Sequence, residues 1–267
     1  MAVSRRVVPK NGAARALPGG RFAKLISVLL IFGVWEAVIR GYDVPPYILP
    51  AFSAVIEEIR RQVATGELFF HLLYTVARSV IGIVVGGLVG VILGLCMGWY
   101  RWFEQFCAYL VSATYPLPKI ALIPLLIVWL GLGEMPRLVM AFMGVLYPVL
   151  INAMVGVKSV DPVLVKAARD MGATDRQLFW EVMLPGSLPM VFAGLKLGSG
   201  VAFILVVASE MLYGQSGVGF QVQDAASILK MHRVFAGLMV LSVLGILLFA
   251  AVDRLQQWAI PWHIEKS

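Results

Sequence analysis

Ser79-Val-Ile-Gly82-Ile-Val-Val-Gly86-Gly87-Leu-Val-Gly90-Val-Ile-Leu-Gly94-Leu-Cys96-Met-Gly98-Trp99 carries no charged side chain. A helix needs about 20 mostly apolar residues to cross a bilayer, and this run supplies them. Glycine recurs at every fourth position, as Gly82, Gly86, Gly90, Gly94 and Gly98. That spacing lets a second helix approach backbone to backbone, because no side chain holds it off. Each four-residue step overshoots a full turn by about 40°, so the stripe winds around its helix and offers itself to more than one neighbour. The five glycines are candidate packing positions, within the chain or against a second copy. Gly194 and Gly198 repeat the spacing later.

The rest of the chain has the same character. Hydrophobic residues make up 60% of its 267 residues and charged ones 14%, against about 45–50% and about 25% in soluble domains. Mean hydropathy is +0.86. So little charge cannot coat a globule of this size, and most of the surface must face lipid. Cys96 and Cys107 fall in or beside apolar stretches and offer no disulfide framework. The net charge of +7 follows membrane sidedness and does not call for a nucleic acid partner.

Five more segments qualify as spans: Phe22–Ile39, Phe106–Leu132, Leu138–Val157, Leu188–Ala208 and Val234–Val252. Phe106–Leu132 is broken by Pro116, Pro118 and Pro124. Phe22–Ile39 has no small-residue cleavage site after it and reads as a retained anchor. With the N-terminus inside, thirteen lysines and arginines fall on the cytoplasmic side and six on the outer side, with Arg78, Lys119 and Lys196 in or at the edge of spans; this accounts for all 22. Positive charge gathers on the cytoplasmic side, so both termini are expected there. Phe52, Val55, Ile56, Ile59 and Val63 recur at helical spacing among charges, the pattern of an amphipathic helix on the outer membrane surface.

The expected architecture is therefore all-α and polytopic, with six transmembrane helices and a cytoplasmic two-helix loop. It divides into a cytoplasmic tail over 1–21, a first span over 22–40 and an outer loop over 41–67. The transmembrane domain covers 68–258, with spans near 72–99, 105–132, 137–158, 187–211 and 234–256 and the two-helix loop at 159–185. A cytoplasmic tail over 259–267 closes the chain.

Several chemistries are missing. A P-loop requires Gly-Lys followed by Ser or Thr, and none of the eight lysines follows a glycine. His71, His232 and His263 stand far apart, without the His-Glu-x-x-His spacing of a zinc site. Gly214-Gln-Ser216-Gly217 matches the Gly-x-Ser-Gly of rhomboid intramembrane proteases. A serine without a placed base is a weak nucleophile, and the sixth span contains no histidine. The glycines read as a turn. No catalytic residue, metal site or cofactor is expected in this chain.

Asp161–Pro185 carries the functional signal. Asp161-Pro162 is a helix start, with an N-cap carboxylate and proline at the first helical position. Leu164, Ala167, Ala168 and Met171 follow at helical spacing, and Gly172 stands where a left-handed cap ends the helix. Thr174 and Gln177 form a capping-box pattern opening a second short helix, which Leu184-Pro185 is expected to stop.

Lys166-Ala167-Ala168, Gly172, Val182 and Leu184-Pro185 resemble the EAA-loop signature of bacterial ABC importer permeases: Glu-Ala-Ala, three residues, Gly, nine residues, Ile, one residue, Leu-Pro. The spacing matches throughout, while Lys166 replaces the usual Glu and Val182 the usual Ile. Tyr115–Pro124, Trp129–Glu134, Gly156–Ser159 and Leu184–Pro189 are similar to the nitrate, sulfonate and taurine branch, whose close relatives also serve thiamine precursors and aromatic acids. The resemblance covers about 68–262. It implies a permease subunit of the bacterial inner membrane, without an ATP site of its own. ATP and magnesium would belong to a pair of cytoplasmic ATPase subunits docked on the two-helix loop. A second permease chain, as a homodimer, would complete the path, and an extracytoplasmic binding protein would deliver the solute.

The rival reading is a gradient-driven secondary transporter. Such proteins place carboxylates near the midplane, whereas Glu36 and Glu210 lie toward span ends. Two lysines remain inside spans, where an ammonium costs roughly 2.5–3.5 kcal/mol at the centre. Lys119 and Lys196 are candidate path-lining residues. Lys196 has the alternative of snorkelling to the cytoplasmic face, and Lys119 that of pairing with carbonyls freed by Pro116 or Pro118.

Overall fold

A computed structural model of the chain describes residues 20–263. The expected N-terminal tail and the last residues of the C-terminal one lie outside the described residues. Every regular element among the described residues is helical, as a bilayer demands, since an open sheet edge there would leave backbone groups unsatisfied.

α1 (Gly20–Gly41) leads to α2 (Phe52–Ala64), α3 (Glu67–Trp99) and α4 (Arg101–Thr114). A 3-10 turn at Lys119–Leu122 runs into α5 (Ile123–Leu130), and α6 (Glu134–Lys158) follows. α7 (Pro162–Asp170) and α8 (Asp175–Gln177) come next, then α9 (Leu184–Tyr213), α10 (Val218–Ser227) and α11 (Met231–Ala259). Four helices among the described residues are long and apolar enough to cross a membrane: α3, α6, the continuous stretch Asp175–Tyr213, and α11. α4 and Lys119–Leu130 meet at 84° and make a fifth span if counted together. The proline-broken third segment is thus two pieces, because neither Pro116 nor Pro118 can donate the backbone bond that would carry a helix through. The expected first span falls in α1, part of whose side chains lies outside the described residues.

α3, α6 and α9 form the centre of the bundle. All five stripe glycines face α6. A Cβ on Gly82 would overlap Ala141, and one on Gly86 or Gly90 would stand 2.8 and 2.9 Å from the carbonyls of Phe142 and Leu146. On Gly94 and Gly98 it would stand 2.6 Å from Cβ of Ala153 and of Val157. The α6 partners also step by about four residues, so the two rows wind together and a stripe that turns around its own axis never leaves its neighbour. Gly194 and Gly198 bring α9 against an adjoining face of α6, next to Val149 and Val145.

α2 buries Val55 of its apolar row and two polar side chains besides. Ile56 and Val63 stay exposed, whereas Glu58 and Gln62 are buried. Gln62 donates to Glu58 at 2.7 Å and accepts from Gln221 of α10 at 3.0 Å. Burial raises the Glu58 carboxyl, but hydrogen bonds from Arg61 and Gln62 outweigh it and hold the group below its ordinary pKa.

Candidate functional site

The two-helix loop is built by local capping. The Asp161 carboxylate accepts from the Val163 amide at 2.8 Å, satisfying one orphan donor of α7. Gly172 lies at φ +87, a left-handed conformation that only glycine adopts freely, and it turns the chain out of α7. Thr174 and Gln177 complete a reciprocal capping box at the start of α8. Lys166 and Ala167 are exposed on α7 and Ala168 is buried beneath them.

Leu184-Pro185 does not stop the second helix. Leu178–Met183 forms a π-helical turn in which the Leu184 amide reaches back to the Phe179 carbonyl. The widened turn leaves Pro185 at the start of α9, where its missing N–H is not needed. Asp175–Tyr213 therefore continues as one 39-residue helical stretch, with Val182, Leu184 and Pro185 half-buried along it. Phe179 packs edge-on against Trp99 at 5.3 Å, joining the loop to the end of α3.

The opposite end of the bundle holds a charge cluster that sequence reasoning missed. Arg78 is 2% exposed and Glu210 fully buried. Arg78 uses all five of its N–H donors. Nε and one Nη2 hydrogen go to the two Glu134 oxygens, both at 2.7 Å. Nη1 reaches Glu210 at 2.6 Å and the Ser216 carbonyl at 2.9 Å, and Nη2 also reaches Ser216 Oγ at 2.7 Å. Arg137 adds a second cation, donating to Glu134 at 2.7 Å and to the Tyr213 carbonyl at 3.1 Å. Two arginines face two glutamates, so the cluster is neutral.

The cluster also explains Gly214–Gly217. Thr75 donates to Glu210 at 2.9 Å and accepts the Val218 amide, while His71 Nδ1 accepts the Gly217 amide at 3.2 Å. Gly217 lies at φ +107, and any Cβ there would fall on the Glu210 carboxylate. Ser216 and His71 are thus occupied in tying the α9–α10 turn to α3. A sequence signal did exist: Arg78 and Glu210 have opposite charge and mark the same end of their spans.

The family described as "Binding-protein-dependent transport system inner membrane component" matches residues 82–261. The chain belongs to this family. The taurine transport system permease protein TauC of Escherichia coli is 30% identical over 90% of this chain and 89% of its own length. The Bacillus subtilis protein described as "Putative aliphatic sulfonates transport permease protein SsuC" is 28% identical over 96% of this chain and 95% of its own length. A solved structure of the MetNI methionine ABC transporter, in inward facing conformations, has a chain of like fold, with a TM-score of 0.56 at 20% identity; the match covers 78% of this chain and 97% of that one. The protein is a multi-pass permease subunit of an ABC importer, a class whose ATPase, binding protein and second permease are further partners.

In the permease, the two candidate lysines have different surroundings. Lys196 of α9 pairs with Asp253 of α11 at 2.8 Å, both partly exposed. Lys119 donates to the Tyr115 carbonyl at 3.2 Å, at the break between α4 and α5. It lies 5.2 Å and 5.1 Å from the ring centres of Tyr115 and Tyr147, a cation–π contact on both.

Proposed function

We propose that two copies of this permease enclose a path for a small anionic solute of the sulfonate class, handed over by an extracytoplasmic binding protein and driven by a pair of ATPase subunits docked on the two-helix loop. Six spans with both termini in the cytoplasm complete this reading, α1 being the first. The observation that carries it is the loop's surface. Val163, Leu164, Met171 and Trp180 are 71%, 57%, 82% and 59% exposed, on a segment whose other exposed residues include Asp161, Lys166, Arg169, Asp175 and Arg176. An amphipathic element with its apolar side chains uncovered fits a groove in another protein. The sulfonate class rests on the permeases named above, and the positive Lys119 is consistent with it.

The test is taurine uptake into proteoliposomes holding the permease, its ATPase and its binding protein. Uptake is expected to require ATP; uptake driven by an ion gradient without ATP would favour a secondary transporter instead. Gly172→Val supplies the second arm. A left-handed backbone costs an L residue about 1–2 kcal/mol, more with a β-branched side chain. No neighbour lies within 4 Å of a Cβ at Gly172, so the strain is confined to the turn. The variant should insert normally and lose at least about tenfold in transport, equivalent to 1.4 kcal/mol, with Gly172→Asn less affected because asparagine tolerates this conformation. Undiminished transport by Gly172→Val would remove the loop from the coupling path.

A further inference from the structure

We propose that Lys119, with Tyr147 and Thr114, forms the head of a binding site for a short aliphatic anion whose hydrocarbon end enters the cavity beside them. The inference rests on the anionic solute proposed above and says where the permease itself meets it. Three observations converge. Lys119 has three N–H donors and one carbonyl partner, the one on Tyr115; among the described residues no carboxylate forms an ion pair with it, whereas Lys196 and Lys158 each have one. Two rings hold the ammonium in place without neutralising it. An ammonium so placed retains donors for an anion.

The second observation is a cavity of about 200 Å³ between α3, α4 and α6, lined by Leu93, Met97, Leu110 and Leu150 with Thr114 and Tyr147. Thr114 and Tyr147 thus belong both to its wall and to the polar group beside Lys119. The Tyr147 hydroxyl donates to Thr114 Oγ1 at 3.0 Å, and Thr114 in turn donates to the Leu110 carbonyl. Tyr147 can turn its proton to an arriving anion while Thr114 keeps a partner. A few polar groups in the wall of a small, largely apolar cavity suit a ligand with one charged end and a short hydrocarbon end.

Depth is the third. Tyr147 lies about halfway along α6, a helix of 25 residues that is about 37 Å long at 1.5 Å per residue. Lipid headgroups lie about 15 Å from the midplane of a 30 Å hydrocarbon core, so a solute reaches this depth more readily than a headgroup does.

The test is binding of radiolabelled butanesulfonate to the full chain in nanodiscs of zwitterionic lipid, at concentrations up to about 10 mM, the weak end of specific affinity. Wild type should bind saturably, with displacement by butyrate and none by butylammonium. Lys119→Met should weaken binding about tenfold or more and Tyr147→Phe a few-fold, while Lys119→Arg, which keeps the charge, should bind near the wild-type level. Equal binding by wild type and Lys119→Met, or no saturable binding by wild type, would overturn the site. So would nanodiscs with phosphatidylglycerol, if that lipid binds in a Lys119-dependent way and excludes the sulfonate. If Lys119→Met does not fold, Tyr147→Phe decides, and binding by that variant at the wild-type level would overturn the site. ATP-driven sulfonate uptake by the wild-type complex without such binding refutes the site alone; absence of that uptake refutes the proposed function.

Discussion

Arg78→Met is expected to lower the thermal unfolding temperature of the detergent-solubilised permease more than any substitution on a lipid-facing position. Removing the guanidinium leaves the Glu210 carboxylate with no countercharge, at 0% exposure. Breaking a buried pair in this way costs about 3–5 kcal/mol, because the surviving charge is desolvated and unpaired. Arg78→Lys should recover only part of the loss: an ammonium has three donors and cannot form the two-pronged contact with Glu134 while also reaching Glu210 and Ser216. Arg78→Met with Glu210→Gln should be more stable than Arg78→Met alone, since the double variant removes the stranded charge. Arg78→Met melting at the wild-type temperature would show that the cluster contributes nothing to holding the bundle's end together.

A comparable effect is expected where the two central helices touch. Gly94→Val would drive a Cβ to 2.6 Å from Ala153 and closer still to the Leu150 carbonyl. Backbone cannot yield as a flexible side chain does, so α3 and α6 must separate and loosen the packing of Val145 and Val149. Overpacking of a tight core costs about 1–3 kcal/mol, and a clash with main chain falls at or above the top of that range. Gly33→Val is the control, because nothing lies within 4 Å of a Cβ there. The measurement is the monodisperse fraction on size exclusion after mild heating. Similar fractions for Gly94→Val and Gly33→Val would mean that the close approach of α3 to α6 contributes little to stability.

Residue type and spacing announced what is local. Asp161, Gly172 and the Thr174–Gln177 pair were readable because each acts on a backbone group within three residues. The glycine stripe was readable as a spacing, but its single neighbour was not, since that depends on α6 winding in step with α3. Arg78 and Glu210 are 132 positions apart, and no periodicity links residues at that distance; only their common end of the membrane hinted at a meeting. Pro185 misled for a different reason. The rule that proline ends a helix assumes the four-residue hydrogen-bond register, and Leu178–Met183 leaves that register one turn earlier.

That unbroken passage through Pro185 links the two ends of the bundle by one helical stretch. Thirty-nine helical residues from Asp175 to Tyr213 make an arm about 58 Å long at 1.5 Å per residue. Thr174 caps one end of it and Glu210 lies near the other. On an arm of that length pivoted at its middle, a tilt of 2° carries each tip about 1 Å, enough to lengthen a 2.6 Å charged hydrogen bond beyond its favourable range. A small rocking of the loop would thus reach the arginine clasp at the other end of the stretch, less whatever the π-turn at Leu178–Met183 and Pro189 absorb on the way.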